Sequence, residues 1–124
     1  MKKQQLILLL GVFLFLFSAP AFAQKPVLTD EEEVAETVTK EMDGLFQSKD
    51  FLKQKEKKFA AVTGTIVTDI GIIQSGKVST FFKVDSDIDN PSFTNFLSDY
   101  IINYKFKFKL QKQQRYKVRY TVTF

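Results

Sequence analysis

The chain has 124 residues, with 18 Lys or Arg against 14 Asp or Glu and no His, Cys or Trp. This length admits one domain at most. The missing cysteines exclude disulfides, thiolate metal sites and Cys nucleophiles. The missing histidines exclude a Ser-His-Asp triad, an imidazole base and a zinc–histidine centre. Hydrolysis would fall to carboxylates, Lys, Ser and Tyr, and no paired-acid motif is present. The composition therefore points to a non-catalytic protein without metal or cofactor.

Lys2 and Lys3 precede an apolar run from Leu6 to Phe17, and Ala21-Phe22-Ala23 follows Pro20. A basic start, a short apolar stretch and an A-x-A site make a secretory signal peptide over residues 1–23, cut between Ala23 and Gln24. The run falls short of the ~20 residues that span a bilayer. An uncleaved anchor is the alternative. After cleavage the chain carries 16 basic and 14 acidic residues. It is expected in the periplasm or secreted, with no stable membrane insertion. A cysteine-free exported chain needs a hydrophobic core of its own.

Gln24 to Leu28 reads as an extended lead-in. Thr29 or Asp30 can cap a helix, with Glu32 or Glu33 completing a capping box. Val34, Val38, Met42, Leu45 and Phe46 recur at helical spacing, so a helix is expected over 31–48, weakened at Gly44. Lys49 to Lys58 reads as a solvated connector, with at most a little helix around Phe51 and Leu52. Residues 24–58 are thus a helix and connector ahead of a domain over 59–124.

The β-branched run Ala61 to Thr68 and the segment Lys77 to Val84 predict two strands around the turn Gln74-Ser75-Gly76. Ile70 to Ile73 forms an irregular tip or continues the first strand. Asp85 to Asn90 is a polar loop, and Pro91 opens a helix over 91–104. Its stripe of Phe93, Phe96, Leu97, Tyr100, Ile101 and Tyr104 is the expected core face. Lys105 to Leu110 switches to period two. From 115 to 124 the alternation sets Tyr116, Val118, Tyr120, Val122 and Phe124 against Arg115, Lys117, Arg119, Thr121 and Thr123. The expected fold is α+β: a small antiparallel sheet in the order strand, strand, helix, strand, packed by one helix and preceded by an acidic helix.

That order, with Gly64 opening a strand, Gly76-Lys77-Val78 at the turn, Tyr104-Lys105-Phe106 closing the helix and a last strand ending on Phe124, resembles the C-terminal domain of TonB-type energy transducers. The resemblance covers about residues 60–124. Phe108 and Leu110 stand where the family has Pro, and Gln111-Lys112-Gln113-Gln114 stands where it has a Gly-containing turn. The family's Pro-rich linker and inner-membrane anchor have no counterpart here. The resemblance implies that the last strand pairs with an extended segment of an outer-membrane receptor.

Strand addition gives that implication a physical basis, because an edge strand offers unpaired N–H and C=O groups. Arg115, Lys117, Arg119, Thr121 and Thr123 are the candidate partner-binding residues, with the three cations attracting acidic residues. Alternatively, the cations simply keep an edge strand soluble. Residues 105–124 hold seven Lys or Arg and no acid, while residues 24–50 hold eight acids and three Lys. Such asymmetry suits an anionic envelope surface. Nucleic acid is not an expected partner, since alternation puts Tyr116 and Tyr120 on the face opposite the cations. Asp85-Ser86-Asp87-Ile88-Asp89-Asn90 has alternate Asp residues but lacks the Gly and Glu of a calcium loop, so it reads as a strand-to-helix connection capped by Asp89 or Asn90. An outer-membrane barrel needs at least eight strands of about ten residues, and the acidic helix and the helix over 91–104 take up too much of the chain to leave them. The functional expectation is an exported periplasmic interaction module that binds an envelope or receptor peptide at its last strand. A soluble adaptor or inhibitor of TonB-dependent transport and a small apolar-ligand-binding domain are the alternatives.

Overall fold

The computed structural model describes residues 24–124; the expected signal peptide lies outside them. In chain order the elements are β1 (Val27–Leu28), α1 (Glu31–Phe46), α2 (Lys49–Phe59), β2 (Thr65–Ile72), β3 (Val78–Ser86), α3 (Pro91–Ile102), β4 (Lys109–Leu110) and β5 (Tyr116–Thr123). The fold is α+β. An antiparallel sheet has the order β3-β2-β5, and β1 pairs with β4 in a separate parallel ribbon. Among the described residues no helix is long and apolar enough to cross a membrane.

One face of the sheet carries the core. Ile66, Ile70 and Ile72 of β2 and Val118, Tyr120 and Val122 of β5 are buried there. Val34, Val38, Met42 and Phe46 of α1 and Phe93, Leu97 and Ile101 of α3 are buried in the same cluster. The core is therefore continuous across residue 58, and two helices cover the sheet instead of the single one expected. Phe96, Tyr100 and Tyr104, also assigned to the core face, are only partly buried at its margin. Thr68 is the buried polar residue; its hydroxyl donates to the Tyr120 carbonyl at 3.0 Å, which satisfies it.

The segment expected as a solvated connector is the helix α2. Ser48 accepts a hydrogen bond from the Phe51 amide, Asp50 sits in the first turn, and Lys57 and Lys58 sit in the last. Those end charges suit the helix dipole. The helix buries Phe51, and Lys55 Nζ closes its far end by donating to the Phe59 and Val62 carbonyls at 3.4 and 3.0 Å. One fully buried side chain is too sparse a stripe for periodicity to register among so many lysines. Phe51 nevertheless lies 4.9 Å from Phe46, 5.1 Å from Tyr100, 5.6 Å from Phe96 and 6.0 Å from Phe124, ring centre to ring centre.

Other boundaries also move. β2 starts at Thr65, not Ala61, and runs through Ile70 to Ile72, so of the two readings of that segment the continued strand holds. Asp30 precedes α1 without a side-chain cap, so the capping box is not formed; Glu31, Glu32 and Glu33 still face the helix dipole. Asn90 caps α3 as expected, accepting from the Phe93 amide at 3.1 Å. Most of 105–110 is not strand: β4 has two residues, and Lys105 makes one bridge to Lys77. Phe106, Phe108 and Leu110 are buried all the same, which accounts for the period of two.

Two glycines are required by space as well as by conformation. Gly64 has φ +137°, and a Cβ there would meet the Asp87 carboxylate and, at 2.6 Å, the Ile88 side chain. Gly76 has φ +85°, and its Cβ would strike the Phe108 and Phe106 carbonyls, because the β2–β3 turn docks on that segment. The Phe106 and Leu110 amides donate to the Gly76 and Gln74 carbonyls.

Phe51→Ala should lower the unfolding free energy by about 3–5 kcal/mol, the range for deleting a fully buried aromatic. Phe96→Ala, at a half-buried site, should cost less. Urea denaturation of both variants checks the order.

Candidate functional site at the open edge of β5

β5 pairs with β2 in unbroken antiparallel register from Thr65↔Thr123 to Ile72↔Tyr116. Just beyond the ladder, Gly64 and Phe124 exchange both backbone hydrogen bonds, at 3.1 and 2.8 Å. Antiparallel ladders alternate between hydrogen-bonded and non-bonded pairs. Counting back from Phe124, the N–H and C=O groups of Val122, Tyr120, Val118 and Tyr116 point into β2. Those of Lys117, Arg119, Thr121 and Thr123 point away from the sheet. No other strand among the described residues pairs with them.

The opposite edge is different. β3 meets β2 with two register shifts, between Val67 and Thr68 and between Gly71 and Ile72. Bulges of this kind twist an edge and discourage strand pairing. The regular edge is β5.

Beside its second half lies a groove of about 380 Å³, walled by Asp43 and Phe46 of α1, by Gln47 just after it, by Leu52 and Lys55 of α2, and by residues 120–124. Leu52 is 50% exposed, an apolar side chain left open next to unpaired backbone. Lys55 Nζ also stands 5.8 Å from the centre of the Phe124 ring. None of these α1 and α2 residues was legible as part of a site, because they come from segments about 70 residues from β5 in sequence.

Four of the five expected binding residues form one row. Lys117, Arg119, Thr121 and Thr123 are exposed on the outer face of the sheet. Arg115 precedes β5 and lines a separate concavity at the other end of the strand. Arg119 is not an uncommitted cation. Its Nε and Nη2 donate to the two oxygens of Asp69 at 3.1 and 3.3 Å, a bidentate pair between β5 and β2. That hydrogen bonding holds the Asp69 carboxyl below its usual range. The pair is exposed on the arginine side, at 63%, so it orders the surface more than it stabilises the fold. Lys117 Nζ lies 5.9 Å from the centre of the Phe82 ring, and Phe82 is itself 56% exposed. The Thr123 and Thr65 hydroxyls are hydrogen-bonded at 2.9 Å.

On the helix side of the sheet three tyrosines fasten α1 and α2. Tyr120 donates to Asp43 at 2.7 Å, Tyr104 to Glu41 at 2.8 Å and Tyr100 to Asp50 at 2.8 Å. Glu41 also accepts the Lys107 amide at 3.0 Å. Burial, and then the carboxylate partner, raises the ionisation of all three phenols above the ordinary tyrosine value. The Asp85–Asn90 loop uses its side chains on backbone: Asp87 accepts from the Thr65 amide, Asp85 from Ser86 and Asn90 from Phe93. Among the described residues no group of three or more acidic side chains converges on a point that could hold a metal ion.

Comparison with protein-family models, curated proteins and solved structures finds no match to the chain.

The Tyr120–Asp43 bond gives a pH-dependent prediction. Unfolded tyrosine ionises near pH ~10, whereas folded Tyr120 holds its proton to higher pH. Its stabilisation is therefore complete below pH ~10 and falls as pH rises beyond it. Tyr120→Phe should cost about 1 kcal/mol at neutral pH. The gap between wild type and variant should narrow above pH ~10, as read from urea midpoints at both pH values.

Proposed function

We propose that the chain is an exported, non-catalytic interaction module of the cell envelope that binds an extended segment of another envelope protein by strand addition to β5. The observation that carries this reading is the row of outward N–H and C=O groups at Lys117, Arg119, Thr121 and Thr123, on an edge without bulges. The resemblance to TonB-type C-terminal domains supports it through the same order of strand, strand, helix and strand. By that resemblance the partner is an outer-membrane receptor segment.

A strand added here would alternate its own side chains between two environments. Those on the helix side would meet Leu52, Phe46 and Lys55. Those on the outer side would meet Lys117 and the threonines. With Arg119 held by Asp69, Lys117 is the cation of the row best placed to favour an acidic residue in the partner.

Proline separates the two sides of β5. At Lys117 or Thr121 it removes an outward N–H and should leave the β2 ladder intact; at Val118 it removes a ladder bond. Lys117→Pro and Thr121→Pro should keep the circular dichroism and cooperative melting of the wild type. Both should fail to retain the envelope protein that immobilised wild-type chain captures and mass spectrometry identifies. Val118→Pro should lose the fold. Lys117→Glu should slow association, an effect that fades at high salt. Retention of the same partner by folded Lys117→Pro and Thr121→Pro would refute strand addition.

A further inference from the structure

We propose that the concavity at the start of β5 binds an anionic saccharide, a sugar carrying a phosphate or carboxylate group. It does not depend on the strand-addition reading, because it lies at the opposite end of β5 from the groove at residues 120–124.

The site arises where the β2–β5 ladder stops. The last pair is Ile72↔Tyr116, after which the two chains diverge into the turns at 73–76 and 111–114. The Leu110 amide donates to the Gln74 carbonyl at 2.9 Å, which brings Lys109 to the same opening. The result is a concavity of about 410 Å³, within the range of small-ligand sites.

Its chemistry is one-sided. Ile73 supplies an apolar patch; Gln74, Ser75, Lys109, Gln113, Gln114 and Arg115 supply the rest, and none is acidic. Two cations face one space with no carboxylate among its walls. An anionic oxygen group fits them, and the planar arginine fork matches phosphate or carboxylate in particular. Three carboxamides and a hydroxyl both donate and accept, as a ligand rich in hydroxyls requires. No aromatic residue lines the site, so a stacked nucleobase is not the favoured ligand.

Gln113 adds a second, independent observation. Its φ is +66°, the left-handed region that a residue with a side chain seldom occupies. Glycine would take that conformation without strain. The turn instead keeps a carboxamide at the rim, fixed by the Gln114 amide bonding back to the Gln111 carbonyl at 3.0 Å. Backbone strain of this kind clusters at ligand-binding sites.

The test is a ¹⁵N-detected titration of the protein with glucose 6-phosphate, glucuronate, glucose and inorganic phosphate. At least one of the two anionic sugars should saturate and shift the amides of residues 73–75, 109 and 113–115; which one does assigns the charged group. Glucose should not. The double variant Lys109→Ala, Arg115→Ala should raise the half-saturation concentration roughly tenfold or more with no change in melting. Gln113→Gly should weaken the sugar without weakening inorganic phosphate. Three outcomes would overturn the proposal: no saturation by either sugar, shifts that persist in the double variant, or inorganic phosphate binding as tightly as the sugar. The last would mean an adventitious ion only.

Discussion

The aromatic cluster centred on Phe51 is the interaction on which the remaining geometry depends. One ring from α2 touches Phe46 of α1, Phe96 and Tyr100 of α3, and Phe124 beyond β5. Phe124 also packs at 5.1 Å on Phe93 and pairs its backbone with Gly64. The helices are thereby held over the inner face, and the far end of β5 is pinned between them and β2. Such packing acts on a face and leaves the strand's edge alone. Because Phe124 bonds to Gly64, the phase of the ladder is set, and with it which residues of β5 turn their backbone outward. Burial in the cluster and availability at the edge follow from a single register.

Electrostatics divides the same way. The acidic helix and the basic segment from 105 onward look like two uncommitted patches in sequence. In the fold the acids Glu41, Asp43 and Asp50 accept hydrogen bonds from Tyr104, Tyr120 and Tyr100, so part of the negative charge serves docking. Arg119 is matched to Asp69. Of the other cations, Lys117 stands on the sheet's outer face, and Lys109 and Arg115 line the cleft at the start of β5. One basic segment thus contributes cations to two different surfaces.

The elements legible in the sequence were those with a full stripe. Tyr116 to Phe124 alternates without a lapse, and α3 repeats Phe93, Leu97 and Ile101 at helical spacing with Asn90 and Pro91 at its start. α2 escaped because lysines dominate it and one fully buried residue, Phe51, holds it in place. Its cap at Ser48 was the available signal. β2 was displaced because the β-branched run from Ala61 begins in the turn after α2, while Gly71 interrupts the strand's own pattern. The binding row was legible by alternation; the pairing of Arg119 with a residue 50 positions away was not. Nor was the groove, whose walls meet only once α1 and α2 fold back onto β5.

Strand addition requires that alternate amides of β5 be unpaired and available. Residue-by-residue amide hydrogen exchange measures this directly. Open amides require fast exchange at Lys117, Arg119, Thr121 and Thr123 and strong protection at Val118, Tyr120 and Val122, with the fast set becoming protected when the captured envelope protein binds. Uniform protection along β5 in the free protein, or a fast set that stays fast in the complex, would contradict it.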